Sequence, residues 1–321
     1  MKSAHLKYMP LVALFGLLAV IMSCGSDTAS PPVADISSCH LFADAKTGDD
    51  SGDGSADSPY LSLTKALSVA TLGNVVCAMQ GTYSAPEETF PIFVTNGVLL
   101  TSVMGSKNTT ITGGGDYGIV NAALVLNSGS AVNGFTILVP SSPDTSVIHV
   151  GIYTDDYTNS NERTLIINNV IRDIGFGHIG GAGIVVMQNA SPSIEGNEIF
   201  GNHDGIALFN SACPTIRGNT IRDNEDNGIY MANSTAADMG ARNDPGGNII
   251  TGNGLRGVYN FSLNGNIMAS GNFWEINCST ADGTYPAEGL PIYGPGTDDN
   301  ALCPSDPSNY RIEFAGASIM F

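Results

Sequence analysis

Ile194-Glu-Gly-Asn197-Glu-Ile199 and Ile216-Arg-Gly-Asn219-Thr-Ile221 are one phrase written twice: an aliphatic residue, two positions, an Asn, one position, another aliphatic. It stands earlier as Ile166/Asn169/Ile171 and returns more loosely as Asn248/Ile250 and Ala269/Asn272/Trp274. The Asn recurs after 28, 22, 29 and 24 residues, the period of one turn of a wound β-solenoid rather than of a globular α/β unit. A second mark runs in phase: Gly118-Ile119, Gly151-Ile152, Gly183-Ile184, Gly205-Ile206, Gly228-Ile229 and Gly257-Val258, each expected to open a strand. Short strands stacked about 4.8 Å apart pair their backbone groups between coils, so no helix is needed to bury a core. Alternation sends Ile, Val and Leu inward. Asn169, Asn197, Asn219, Asn248 and Asn272 are expected to form an amide ladder at one turn, with Asn202, Asn224 and Asn253 as a shorter second ladder. The fold class predicted is all-β, a single solenoid domain.

Outward from the repeats, Lys2, His5 and Lys7 precede an apolar run from Leu11 to Met22. That run is too short to cross a bilayer as a mature helix and reads as a secretion signal over residues 1–23. It ends in Ile21-Met22-Ser23-Cys24, which resembles the lipobox of bacterial lipoproteins. The resemblance implies cleavage before Cys24, acylation of that thiol with palmitate-type chains, and the membrane as a partner through a stable lipid anchor. A linker over residues 24–36 follows. Gly25, rather than Asp, after the Cys implies the outer membrane of the cell envelope. The remaining domain, residues 37–321, divides into an N-cap segment at 37–84, coils over about 85–274, and an irregular segment at 275–321.

Charge and cysteine count narrow the class. Loss of Lys2 and Lys7 from the 12 basic residues leaves 10 against 30 acids, so nucleic acid is not an expected partner. A monomer is expected. Besides Cys24 there are Cys39, Cys77, Cys213, Cys278 and Cys303, which suits an oxidising compartment. If the strands holding Cys39 and Cys77 are neighbours, a bridge between them closes a 38-residue loop, worth about 3 to 4 kcal/mol in the chain-entropy model. Cys278 and Cys303 are expected to pin the last segment. Cys213 aligns with Ser191 one coil earlier and is expected at a turn without a partner.

Between linker and coils stand Asp44-Ala-Lys-Thr-Gly48-Asp49-Asp50-Ser-Gly52-Asp53-Gly54, Ser58-Pro59, Leu63-Thr-Lys-Ala66-Leu67-Ser-Val-Ala70 and Gly81-Thr-Tyr83. Ser58 as N-cap, Pro59 at the first helical position and the stripe Leu63, Ala66, Leu67 and Ala70 predict a short helix closing at Gly73. Such a helix would cover the first rung, whose edge would otherwise polymerise. These motifs, with Asp238-Met-Gly240, Asp244-Pro-Gly-Gly-Asn248 and Gly271-Asn272-Phe-Trp274, resemble the DUF1565 family over roughly Leu41 to Trp274. The resemblance implies a right-handed single-stranded parallel β-helix of the pectate-lyase-like group, and implies nothing specific about activity.

Candidate chemistry lies at the turns. Asp49, Asp50 and Asp53 imitate the start of a Ca2+ loop, although the twelfth position is Tyr60 instead of a bidentate Glu; an acidic turn is the simpler reading, and no metal or other cofactor is expected. His178 in Gly177-His-Ile-Gly180 is similar to the Gly-His-Gly of polygalacturonases, against the plain reading of a loop histidine. Arg172-Asp173 and Arg222-Asp223 occupy equivalent places two coils apart, about 9 to 10 Å, near the upper limit for an inverting glycosidase pair. His203, Asp204, Glu225 and Asp226 fall in the same series of turns. All these acids also suit plain turn-capping. No Lys follows Lys107, which removes a Lys base on the repeat coils and weighs against a lyase.

Three functional classes remain. A surface-anchored binding or adhesion module would bind a polysaccharide or a cell-surface protein along a face bearing Tyr153, Tyr230 and Tyr259. A glycan-cleaving enzyme, a hydrolase before a lyase, would hold Asp173, Asp223 or Asp204 in a groove with a raised pKa. An envelope spacer would satisfy its side chains locally on every face. The sequence does not decide whether the chain is an enzyme.

Overall fold

A computed structural model describes residues 36–142, 146–156, 163–178, 180–233, 235–241, 243–261, 267, 269–274, 292–293, 313–314 and 317–318. Their strands wind into a right-handed parallel β-helix of three sheets. One sheet stacks Leu41–Ala43, Val75–Ala78, Leu99–Ser102, Ala131–Asn133, Leu165–Ile167, Ser193–Glu195 and Thr215–Arg217. A second runs from Gly81–Ser84 through Thr109–Thr112, Thr136–Leu138, Val170–Arg172, Glu198–Phe200, Thr220–Arg222 and Ile249–Thr251 to Phe273–Trp274. The third, which carries the site, runs from Ile92–Val94 through Val120–Leu126, Ile148–Asp155, Gly181–Met187, Asp204–Leu208, Asn227–Met231 and Arg256–Asn260 to Ile292–Tyr293.

Register lines the interior with three aliphatic ladders. They are Leu100–Val132–Ile166–Ile194–Ile216, Ile111–Ile137–Ile171–Ile199–Ile221–Ile250 and Leu124–Ile152–Ile184–Ile206–Ile229–Val258. All are buried in one continuous core. Each burial is worth roughly 1.5 to 3 kcal/mol, and a β-branched side chain fits a strand that stacks on copies of itself.

Both corners flanking the second sheet share one device, a left-handed residue followed by a position that points inward. At the first corner these are Gly134, Asn168, Gly196, Gly218, Gly247 and Gly271, all with φ between 53° and 80°; only Gly and Asn tolerate that backbone cheaply. Phe135 follows the first of them and an Asn follows each of the others. These Asn side chains turn into the core, where each Oδ1 accepts from the rung before it. Asn169 takes the backbone N–H of Phe135 at 3.0 Å. Asn169 itself donates its backbone N–H and Nδ2 to Asn197 Oδ1 at 2.9 and 3.1 Å, and Asn197 does the same to Asn219 at 2.9 and 3.0 Å. The Nδ2 donations continue from Asn219 to Asn248 at 3.0 Å and from Asn248 to Asn272 at 2.7 Å. At the second corner the left-handed residues are Asp173, Gly201, Asp223 and Gly252, and Asn202, Asn224 and Asn253 form the same chain, with Nδ2 donations of 3.1 and 2.8 Å.

The strand glycines are explained by this second ladder. A Cβ on Gly205 would lie 2.4 Å from the Gly228 carbonyl and 3.0 Å from Asn224 Nδ2, and one on Gly228 would lie 2.5 Å from the Gly257 carbonyl and 2.9 Å from Asn253 Nδ2. There is no room for a side chain where the third sheet passes the amides. Gly118-Ile119 departs from the expected pattern. Gly118 has φ 62° in the turn between Gly115–Tyr117 and Val120–Leu126, Ile119 is 86% exposed, and the coil position of the other glycines falls to Ala123.

At the N-terminal end, helix α1 (Leu63–Val69) packs Leu63, Ala66 and Leu67 into the core. Its N-cap is Ser62, not the expected Ser58, with the Ser62 hydroxyl accepting from Lys65 N–H at 3.0 Å. Ser58 and Pro59 are withheld from the helix because Tyr60 pairs with the first strand, exchanging hydrogen bonds with Phe42 and Asp44. Glu88, buried, adds a second cap, accepting from Leu63 and Thr64 N–H at 2.6 and 2.9 Å. Cys39 and Cys77 form a disulfide with Cα atoms 5.8 Å apart. Cys213 is also disulfide-bonded, contrary to the expectation of an unpartnered turn residue. Position in a repeat dictates where its thiol stands and says nothing of a segment outside the coils. Its partner lies outside the described residues, as do Cys24 and the expected Cys278–Cys303 pair.

Candidate functional site

The outer face of the third sheet holds two columns. In register, Tyr153, Val185, Ala207, Tyr230 and Tyr259 form one. The residues just before the strand glycines, Ala182, Asp204, Asn227 and Arg256, form the other. Small residues in mid-column and aromatic ones beside them leave a cleft of about 440 Å³, floored by Val185 and Ala207, with Phe209, Tyr230 and Tyr259 on one side and His203, Asp204, Asp226, Asn227 and Arg256 on the other. Phe209, Tyr230 and Tyr259 pack in series with ring centroids 5.7 and 5.6 Å apart. The Arg256 guanidinium lies 4.3 Å over the Tyr259 ring, a cation–π contact that orients both.

The polar side is a linked set. Asp204 Oδ1 accepts from Asn227 N–H at 3.0 Å and Asn227 Nδ2 at 2.9 Å. Burial pushes the Asp204 carboxyl above the usual carboxylate range, aided by Asp226 and opposed by the Asn227 hydrogen bonds and His203. His203 sits between two acids, Nδ1 3.3 Å from Glu225 Oε2 and Nε2 3.5 Å from Asp226 Oδ2. Glu225 Oε2 also accepts from Gly177 N–H at 2.6 Å, tying the glycine-rich connection after Asp173 to the rim of the cleft. Burial, with Tyr259 and Asp204 nearby, raises the Tyr230 hydroxyl as well.

Of the residues singled out in the sequence, the cleft gathers His203, Asp204, Asp226, Tyr230 and Tyr259. Asp173 and Asp223 stand two coils apart but outside it. Each is exposed in the left-handed corner position and paired with its neighbour, Asp173 with Arg172 and Asp223 with Arg222. Arg222 is further held by Glu198 at 2.7 Å and lies 4.2 Å over the Phe200 ring. These acids are turn residues satisfied locally, because a left-handed corner directs their side chains along the outside of the column and not onto the sheet face. Tyr153 also stands apart from the cleft. It is only 7% exposed, roofed by Tyr117 with ring centroids 5.1 Å apart, and its hydroxyl lies 3.4 Å from Met187 Sδ. His178 packs edge-to-face on His149, centroids 4.9 Å apart, and is not among the residues lining the cleft.

The Asp49, Asp50 and Asp53 carboxylates each accept backbone N–H groups: Ser51, Leu61 with Ser62, and Ser55 respectively, at 2.8 to 3.0 Å. Those hydrogen bonds hold Asp49 and Asp53 below the usual range. Among the described residues no group of three or more His, Cys, Asp or Glu is arranged to hold a metal ion.

Reading the sequence misses Asn227 and leaves Arg256 unconnected with a site. The signal is in the repeat itself: Asp204-Gly205-Ile206, Asn227-Gly228-Ile229 and Arg256-Gly257-Val258 place one polar residue before the glycine of three consecutive coils. Ala182-Gly183-Ile184 shows that the position does not require a polar residue for folding.

No curated protein sequence matches the chain. Among solved structures it is similar to the pectin methylesterase PemA from Erwinia chrysanthemi, with 13% identity, TM-score 0.42, and 81% of this chain and 82% of that one covered. It is also similar to the pectate lyase Pel9A, with 13% identity, TM-score 0.42, and 79% and 74% covered. Identities this low do not extend to substrate or chemistry. Residues 46–281 match the model of the family described as "Protein of unknown function (DUF1565)", and the chain belongs to that family.

Proposed function

We propose that this protein is a cell-envelope lipoprotein, anchored through Cys24 and probing its surroundings as a monomer, whose cleft on the third sheet binds a glycan. One observation carries the binding reading: Tyr230 and Tyr259 flank a floor of Val185 and Ala207 with Asp204, Asn227 and Arg256 opposite. A mostly apolar concavity with a few convergent polar groups is the usual form of a small-molecule site, and aromatic faces suit the C–H surface of a sugar ring. The signal-like run ending at Cys24 supports the anchor, and the acidic balance of the chain supports the absence of nucleic acid among its partners. Glycan-array screening of the purified chain tests the reading. Binding that weakens in Tyr259→Ala and Tyr230→Ala is expected, and an array with no binder would refute it. Retention of Cys24→Ser protein in the membrane fraction would refute the anchor.

A second reading, hydrolysis of the bound glycan, is favoured by a specific pair: Asp204, whose carboxyl burial raises, shares the cleft with Asp226. A raised acid to protonate a leaving oxygen and a second carboxylate to activate water are the parts a glycosidase needs. Release of reducing ends, lost in Asp204→Asn while binding persists, would establish it.

A further inference from the structure

We infer, resting on the carbohydrate reading above, that the cleft selects a neutral, hydroxyl-rich sugar chain and rejects polyuronates. Asn227 is held in one orientation. Its backbone N–H and its Nδ2 are both committed to Asp204 Oδ1, at 3.0 and 2.9 Å. Reversing the amide would set its oxygen against the carboxylate, so Asp204 fixes which way Asn227 faces. The consequence is that Asn227 Oδ1 is an acceptor with no donor among the described residues, on a side chain only 4% exposed that lines the cleft. Buried acceptors are rarely left unpaired. This oxygen is itself covered; a ligand hydroxyl that displaces the cover can donate to it, and a carboxylate, which only accepts, cannot.

Charge points the same way. Asp204 and Asp226 line the cleft, and Glu225 stands behind His203 at 3.3 Å. Among the described residues that line it, Arg256 is the one Lys or Arg, and its guanidinium is stacked 4.3 Å over Tyr259. A uronate carboxylate on every ring would enter a site with more acids than bases, on a chain of net charge −18, and like-charge juxtaposition is a strong discriminator between partners. Neutral hexoses and N-acetylhexosamines present donors to Asp204, Asp226 and Asn227 and bring no negative charge against the acids.

The experiment is calorimetric titration of the full chain in detergent with neutral pentasaccharides (cello-, manno-, xylo- and N-acetylglucosamine series) and with pentagalacturonate, at one salt concentration. Expected is binding of at least one neutral probe, with pentagalacturonate about tenfold or more weaker, and a narrower gap in Asp226→Asn through a gain in uronate affinity. Equal or tighter binding of pentagalacturonate would overturn the selectivity and leave the glycan reading standing. Binding of neither class would overturn both. An unchanged gap in Asp226→Asn would show that the lining acids do not set the selectivity.

Discussion

Asn197 and Asn219 are joined twice across one coil: the backbone N–H and the Nδ2 of Asn197 both end on Asn219 Oδ1, at 2.9 and 3.0 Å. Asn219 in turn donates Nδ2 to the Ile194 carbonyl at 2.8 Å and to Asn248 Oδ1 at 3.0 Å. Asn219→Ala therefore leaves the buried Asn197 N–H without its acceptor and removes one hydrogen bond each from Asn197 Nδ2, the Ile194 carbonyl and Asn248 Oδ1, which keeps the Asn219 N–H, at about 1 to 3 kcal/mol for a group left unsatisfied. Chemical denaturation should show a loss of roughly 3 kcal/mol or more for Asn219→Ala and clearly less for Asn272→Ala at the partly exposed end of the ladder. Equal losses would mean that the amides act as independent turn residues.

Two kinds of glycine should separate on mutation. In Gly205→Ala the new methyl meets a backbone carbonyl at 2.4 Å and Ile221 Cγ2 at 2.8 Å, and overpacking of that sort costs about 1 to 3 kcal/mol or more. Gly218 has φ 61° and, among the described residues, nothing within 4 Å of a built Cβ, and the same register position two coils earlier is Asn168. Gly218→Asn should leave the thermal midpoint within a few degrees of the parent.

Asp204 has a folded-state pKa above its unfolded value because burial disfavours its charge. The folded state then holds more protons than the unfolded one between the two values, so stability is highest below the unfolded pKa and falls as pH rises through the folded pKa. Asp204→Asn keeps an Oδ1 for both Asn227 donors and removes the buried charge. It should be more stable than the parent at pH 7, with a smaller loss of stability between acid and neutral pH, and a less stable variant would contradict this account.

His149 behaves oppositely. It is 3% exposed, neither ring nitrogen has a hydrogen-bond partner among the described residues, and burial with His178 nearby lowers its pKa. The unfolded state therefore binds the extra proton first, and stability present above the unfolded value near 6.5 is lost as pH falls toward the folded one. Urea titrations at about pH 7.5 and 5.5, either side of that value, should show this loss in the parent and a smaller one in His149→Phe.

Tyrosines of one column should divide by role. Tyr153→Ala empties a space beneath Tyr117 and should cost about 3 to 5 kcal/mol, as large aromatic truncations in cores do. Tyr259→Ala, on the open cleft, should change stability little and weaken glycan binding about tenfold. The outcome that would reverse the assignment is weakened binding in a Tyr153 variant that remains fully folded.

Much of this was legible in the chain itself. A strand that stacks on copies of itself needs like residues at like positions, so Ile166, Ile194 and Ile216, and the Asn beside each, declare their neighbours by recurrence alone. The disulfide of Cys39 and Cys77 follows once the strands beside them are neighbours. The helix starts four residues beyond Ser58, at Ser62, since the choice between them depends on Tyr60 pairing with the first strand, a contact between segments that no local pattern records.

The site was only half legible, for a related reason. Recurrence along the chain determines which residues share a column, and so which acids lie near one another. It does not say which way a corner turns its side chain. Asp173 and Asp223 sit at left-handed positions that aim them along the outer corner, whereas Asp204, directly before Gly205 and Ile206, is set on the sheet face beside Asn227. Period is a property of the sequence; the direction of a side chain, the roof Tyr117 sets over Tyr153 and the hollow between Ala207 and Tyr259 arise only when coils are packed on one another.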